Sequence, residues 1–456
     1  MNFNYNKIEF QTRRAALLAK MGGGIAIIPT APEAIRNRDS HYPYRFDSHF
    51  YYLTGFQEPE SVLVLIASGD NKLEPKSILF CRDKDMEREI WDGFRFGPAA
   101  AKTAFGFDEA YSITQLGEML PKLMGNQSQL FYSLGASHDW DIKVTGWLNK
   151  VKDLARTGVS APESIVDIRQ LIDVNRLVKT PFEQDLMRRS AIIAAGAHNR
   201  AMCFVALNNV KPNQNESATK ENEVEAEFLH EFYKNGAQSP AYTSIVAGGA
   251  NACTLHYNAN NCILNDGDLL LIDAGCELDG YASDITRTFP INGKFSSAQK
   301  DLYELVLTAQ LAAINAAKPG QNWNAPHEAA LDVLVQGFID FKLCKGSKEE
   351  ALENGSYRQF YMHRTGHWLG LDVHDAGQYT IKEPKDKSSN WALLEAGNTL
   401  TVEPGCYVRP ADNVPKHFWN IGIRIEDDVL ITKRGNEVLS KNAVKTVVDI
   451  EALMTK

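Results

Sequence analysis

The spacing of hydrophobic positions divides the chain into two differently built parts. Residues 10–20 carry apolar side chains at helical spacing, and short β-rich runs follow at residues 24–28, 61–67 and 77–81. Helices alternating with short strands predict a small α/β domain over residues 1–175. A helix start then stands out. Thr180 suits the N-cap, Pro181 the first helical position and Glu183 the third, so a capping box opens a helix predicted to run to about Val205. A polar linker, KPNQNESATKENE, separates it from a second helix over residues 224–233, which ends before Gly236. From Ser244 onward β-rich segments dominate, interrupted by helices at residues 297–317 and 323–341. The second domain is therefore expected over residues 176–456, and the fold class is mixed α/β (α+β).

Within the β-rich part, LLLIDAGCELDGYASDITRTF reads as a hairpin, with turn chemistry at Leu278-Asp279-Gly280. A turn centred between Leu278 and Asp279 sets Asp273 directly opposite Asp284, with Cβ atoms roughly 5 Å apart. Two like charges facing each other among Leu271, Ile272 and Ile285 are unfavourable, so a cation between them is one reading. In the other, one aspartate caps the turn and its partner is solvated.

Composition narrows the class. The residues are 44% hydrophobic and 23% charged, and 48 Lys and Arg against 57 Asp and Glu give a net charge of −9. That balance argues against nucleic acid or an anionic membrane as partner. No uninterrupted apolar run approaches the ~20 residues of a membrane span, and SVLVLIAS at residues 61–68 reads as a buried strand. The N-terminal MNFNYNKIEFQTRRAALLAK has no apolar core of a signal peptide. Seven cysteines, odd in number and without a C-x-x-C pair, fit a reducing, cytoplasmic setting.

Three further stretches put ligand-type side chains in apolar or turn surroundings. MHRTGHWLGLDVHD carries His363, His367 and His374, TLTVEPGCY carries Glu403, and GIRIEDDVLIT carries Glu426. In the last, Ile421, Ile423 and Ile425 alternate with Gly422, Arg424 and Glu426, which sets Arg424 and Glu426 on one face. Each residue alone has a plain structural explanation; a histidine in apolar sequence usually serves the core. Together, Asp273, Asp284, Glu403 and Glu426 bring four negative charges, which two divalent cations neutralise. Oxygen donors with a single imidazole favour a hard ion, Mn²⁺ before Zn²⁺ or cobalt.

These stretches, in this order, resemble the pita-bread metallopeptidases, and IDAGCELDGYASDITRTFP, HWLGLDVHD, LTVEPGCY and GIRIEDDVLI resemble the Xaa-Pro aminopeptidases (aminopeptidase P) among them. The resemblance extends to APEAIRNRDSHYPYR, FYYLTGFQEPESVLVL and EIWDGFRFG in the N-terminal part, and so covers nearly the whole chain. It implies a small creatinase-like N-terminal domain, serving oligomerisation and substrate access, before a pita-bread catalytic domain. It further implies two divalent metal ions: Asp273 on one, Asp284 and Glu426 bridging, and His367 with Glu403 on the other. His256 in CTLHYNAN, His363 and His374 match the family's histidines that orient substrate and stabilise the tetrahedral intermediate, and Glu403 would move the proton. Arg424 is placed among the substrate-binding residues. Tyr407, and Trp91 from a neighbouring subunit, would wall the proline ring, although Trp91 also reads as an ordinary core tryptophan.

The activity so implied is hydrolysis of the bond between an N-terminal residue and a following proline, in a cytoplasmic homo-oligomer, dimer or tetramer. One departure is that residues 379–393, YTIKEPKDKSSNWAL, hold lysines at 382, 385 and 387 where the family often has an arginine. A prolidase restricted to Xaa-Pro dipeptides shares the metal set, and a non-catalytic pita-bread binding protein or a metal-free creatinase relative would have lost ligands that are all present here. A dipeptidase needs a fixed cation for the carboxylate of proline, for which Arg364 and Arg409 are the candidates.

Overall fold

The computed structural model describes residues 6–69, 74–209, 219–381 and 390–455. The lysines at 382, 385 and 387 and most of the polar linker lie outside them. The chain forms two compact units, Met1–Arg176 and Leu177–Lys456, both mixed α/β. In the first, a six-stranded sheet is built around Gly24–Pro29, which pairs antiparallel with Val62–Ala67 and parallel with Gln129–Phe131. The all-apolar run Val62–Ala67 is buried throughout, as a central strand covered on both faces must be.

The second unit opens with the expected capping box. The Thr180 amide donates to the Glu183 carboxylate at 2.9 Å and the Glu183 amide to the Thr180 hydroxyl at 3.4 Å, starting a helix that continues to Asn209. By length and composition this helix could cross a membrane, with a mean hydropathy of 1.3 over an 18-residue stretch within Pro181–Asn208, which a search for uninterrupted apolar runs overlooks. Here Ala194, Ala197, Ala201, Met202 and Val205 bury their side chains in the core of the unit, together with the helices Glu221–Lys234, Ser297–Ala316 and Ala325–Asp340.

The hairpin is present, but in another register. Asp279 and Gly280 both take positive φ, at 48° and 83°, so the two form the turn and Leu278 pairs with Tyr281. This is the Asp-Gly turn whose twist suits a two-residue hairpin. Asp273 consequently faces Thr286 and not Asp284. Since the slip is two residues, both carboxylates stay on one face, now as diagonal neighbours. Gly275 lies beside the backbone at Ser283 and Asp284, where a Cβ would collide with the Ser283 carbonyl oxygen. This absent side chain leaves the room in which Asp284 approaches Asp273.

Two fully buried ion pairs fix the neighbouring segments. Arg287 donates to Asp427 at 2.8 Å and also to the carbonyls of Glu426 and Ala443, which ties the hairpin to the segment carrying Glu426. Lys179 pairs with Asp375 at 2.9 Å and so anchors the loop that carries His374. Within that loop the Asp375 amide donates to the Trp368 carbonyl.

Alanine at Gly275 is expected to destabilise the protein by about 1–3 kcal/mol in urea unfolding, because the strand pair has to separate. Alanine at Gly196, which is helical with open space at its Cβ, should be neutral or stabilising by up to about 1 kcal/mol. Equal effects at the two sites would contradict the close approach at Gly275.

Candidate metal centre

Four segments converge on a cavity of about 650 Å³ in the second unit. Asp273 ends the strand Leu269–Asp273, and Asp284 precedes the strand Thr286–Pro290. Residues 365–369 run antiparallel to 399–403: the Glu403 amide donates to the Thr365 carbonyl, the Thr401 amide to that of His367 and the Leu369 amide to that of Thr399. This pairing sets His367 beside Glu403. Glu426 follows the strand Ile421–Arg424, and its amide donates to the Thr286 carbonyl. The buried isoleucines 421, 423 and 425 take the opposite face, as their alternation requires.

Asp284, His367 and Glu426 offer ligand atoms within 4.8 Å of one another. His367 Nε2 is 3.3 Å from Asp284 and 3.8 Å from Glu403, while its Nδ1 lies 2.9 Å from the Trp368 carbonyl. That contact places the proton on Nδ1 and turns Nε2 toward the carboxylates. On the far side, Arg424 donates to Asp273 at 2.6 Å, to the Tyr407 hydroxyl at 2.9 Å and to the Thr286 hydroxyl at 3.1 Å. Thr286 in turn donates to Glu426 at 2.7 Å. The Tyr242 hydroxyl reaches both Asp273 and Asp284.

Burial raises the pKa of Asp284, Glu403 and Glu426. Glu403 is pushed up to about 7, against the pull of His367 and Arg424. Asp284 is raised by burial and by the charge of Asp273, with His367 opposing. Glu426 is held far above its usual range by burial and then by Asp284, Glu403 and Asp273. Burial works against a charge on His367, but Asp284 and Glu403 outweigh it and push the ring up to about 9. Three carboxylates that resist ionisation around one imidazolium are a donor set lacking positive charge. Oxygen donors, one imidazole oriented by a backbone carbonyl and mutual repulsion fit divalent metal ions.

The cavity brings together Asp273, Asp284, His367, Glu403, Glu426, His256, His363, His374 and Arg424. One residue expected in this chain's own site, Tyr407, does not join them. Tyr407 is fully buried behind the wall, in a strand buried on both faces, so it does not line a proline pocket. Its hydroxyl instead accepts from Arg424 and lies 2.9 Å from His363 Nε2. Trp91 lies in the first unit, in the helix Met86–Asp92, and is 82% exposed, which excludes the reading as a core tryptophan. His363 differs from expectation as well. Its Nδ1 is 2.8 Å from the Arg364 carbonyl and its Nε2 is taken by Tyr407, and burial with the nearby Arg424 pushes its pKa down to about 4. Both ring nitrogens of His363 being engaged, His256 and His374, exposed residues with no hydrogen-bond partner among the described residues, are the histidines able to donate into the cavity.

Sequence reasoning missed Tyr242 and Thr286. A tyrosine in a loop, in AYTS, carries no signal by itself. The hairpin alternation does set Thr286 and Thr288 on the face of Asp284, and Thr288 brackets the Arg424 backbone from there.

Residues 185–433 match metallopeptidase family M24, and residues 10–132 match the aminopeptidase P N-terminal domain. The chain belongs to the M24 metallopeptidases. It is a metal-dependent hydrolase of peptide bonds, with a pita-bread unit following an aminopeptidase P type N-terminal domain. An Xaa-Pro aminopeptidase of Escherichia coli (strain K12) is 42% identical over 98% of this chain and 97% of its own, and Xaa-Pro aminopeptidase 3 of Homo sapiens is 32% identical over 99% and 86%. Among solved structures, Pseudomonas aeruginosa aminopeptidase PepP superposes with a TM-score of 0.92 at 46% identity, covering 99% of this chain and 98% of that one. Zinc-substituted Escherichia coli aminopeptidase P in complex with product gives 0.92 at 41% identity, with the same coverage.

An M24 centre of this kind should show metal-linked stability that depends on pH. In the metal-free enzyme the raised carboxylates contribute stability at acid pH that is lost as pH rises through their folded values, about 7 for Glu403. His367, raised to about 9, acts in the same direction, its contribution fading as pH climbs past its unfolded value toward 9. Added Mn²⁺ or Zn²⁺ should therefore raise the melting temperature least near about pH 5 and most near about pH 8. An equal rise at both, followed by calorimetry, would contradict this charge arrangement.

Proposed function

We propose that this M24 enzyme is an Xaa-Pro aminopeptidase that removes an N-terminal residue preceding proline, using two divalent ions, Mn²⁺ in the cell. The observation that carries the reading is the set of five ligand-type side chains, Asp273, Asp284, His367, Glu403 and Glu426, converging on one cavity. Bound there, divalent ions supply Lewis acidity for the carbonyl and lower the pKa of water. Asp273, Asp284, His367, Glu403 and Glu426 would hold the ions, with Asp284 and Glu426 the most deeply buried of the carboxylates.

The chain's own residues supply the remaining chemistry. A carboxylate beside the reacting bond is suited to take a proton and return it, so Glu403 passes one to the departing proline nitrogen. That nitrogen carries no hydrogen in the substrate, being a tertiary amide. His256 donates toward the carbonyl oxygen as charge develops there, a contribution of roughly 3 kcal/mol for a donor of this kind. His374, packed edge-on against His367 with ring centroids 4.2 Å apart, keeps that ligand in place at the mouth of the cavity. His363 acts as a positioning group, through Tyr407 and Arg424, on Asp273.

The exposed indole of Trp91 supports a contact with a second subunit of a homo-oligomer, in line with the proposed role of residues 1–175 in assembly and substrate access. Seven free cysteines support a reducing, cytoplasmic setting.

Chelation should abolish hydrolysis of Xaa-Pro-Xaa tripeptides, and refilling with Mn²⁺ should restore it; full turnover by protein that elemental analysis finds metal-free would refute the assignment. A Pro-to-Ala change at the second substrate position should remove most activity. If the enzyme cleaved only Xaa-Pro dipeptides, the prolidase reading would replace this one. His256→Ala should lower kcat by about 10² or more while metal content stays the same. Loss of metal in that variant would place His256 among the ligands.

A further inference from the structure

We propose that Arg364 is the specificity anchor of the cleft, holding the terminal carboxylate of the residue that follows proline in a tripeptide. The inference rests on the Xaa-Pro reading of the metal centre and adds a substrate determinant to it.

Besides histidines, the cations lining the cavity are Arg364 and Arg424. Arg424 is buried, and all three of its guanidinium nitrogens donate within the protein, one of them to the carboxylate of Asp273. Arg364 is its opposite. It is exposed, and among the described residues no carboxylate pairs with it.

Two neutral contacts hold it instead. One guanidinium nitrogen, Nη2, donates to the Asn324 side-chain oxygen, and the guanidinium carbon lies 4.9 Å from the centroid of the Trp391 ring. A guanidinium stacked on an aromatic ring and steadied by one amide is preorganised, and among the described residues its charge is uncompensated and its other donors are open. The chemical group that completes it is a carboxylate, which a fork of parallel donors grips in bidentate fashion.

Position decides which carboxylate. Arg364 follows His363 and precedes His367 by three residues, so its backbone belongs to the site wall. The metal-ligand carboxylates Asp284 and Glu426 are buried at the base, whereas Arg364 is exposed at the rim. A charge at the rim meets the residue beyond proline, not proline itself. Arg409, the other arginine considered for such a contact, does not line the cavity and donates to the Cys253 carbonyl.

The test uses manganese-loaded enzyme and one Xaa-Pro-Xaa tripeptide with either a free or an amidated C-terminus. For the native chain, kcat/KM should favour the free acid by about tenfold, chiefly through KM, as expected of a charge-assisted contact. In Arg364→Gln the acid-to-amide ratio should fall to about one, and in Arg364→Lys it should be intermediate, a point charge replacing the fork. Turnover of the amide reports that each variant is folded. An unchanged ratio in Arg364→Gln overturns the proposal. So does a loss confined to the Xaa-Pro dipeptide, which would put Arg364 on proline's own carboxylate. If the native enzyme cleaves neither tripeptide, the Xaa-Pro reading falls and the anchor falls with it.

Discussion

Electrostatic repulsion among four carboxylates in one poorly hydrated cavity is the constraint around which the second unit is organised. Asp273, Asp284, Glu403 and Glu426 come from three separate parts of the chain, and folding takes all of them out of water. Isolated ionised carboxylates in such surroundings are costly enough that they take up protons or acquire a cation. The protein's own cations answer part of this. Arg424 sits against Asp273, and His367 against Asp284 and, at 3.8 Å, Glu403, but Glu403 and Glu426 keep raised pKa values. The deficit is a property of the fold, and divalent ions would remove it.

Positioning charges against their own repulsion needs rigid supports, and the structure has them behind the cavity. Arg287 with Asp427 and Lys179 with Asp375 are buried pairs with further hydrogen bonds from the backbone, the arrangement in which an ion pair fixes geometry. Asp427 is held well below the usual carboxylate range: burial opposes its charge, and Arg287 and Lys445 overcome it. Its sequence neighbour Glu426 is held far above that range. Acids adjacent in the chain thus have opposite protonation tendencies because one turns toward Arg287 and the other toward the cavity. Asp428 adds to this frame, its carboxylate accepting from the Asp284 amide at 3.2 Å.

Much of this was legible in the sequence because it is written in alternation and local caps. The isoleucines of the 421–425 run, the shared face of Arg424 and Glu426 and the capping box at Thr180 follow from the two backbone periods and from hydrogen-bond geometry. The carboxylate and imidazole motifs pointed to one centre because each places a charged group in apolar surroundings, a combination a core does not otherwise tolerate. The hairpin register was misread by two residues because the turn was centred on Leu278-Asp279, when the pair able to take positive φ is Asp279-Gly280. Tyr407 was misplaced because a tyrosine beside a ligand motif reads as a surface group, whereas its strand is buried on both faces. Tyr242 was invisible, since its role arises from a loop meeting two aspartates distant in sequence. Partners of that kind are set by tertiary packing and leave no local signature.

The central claim is that the cavity is a charge-deficient site for two divalent ions. Calorimetric titration of the metal-free enzyme with Mn²⁺ at about pH 7, repeated in buffers of different ionisation enthalpy, counts both ions bound and protons released. The account predicts two ions per chain and net release of at least one proton, because Glu403, tuned to about 7, and His367, raised to about 9, hold protons that the metal must displace. Binding of a single ion, or of two ions with no proton release, would contradict it.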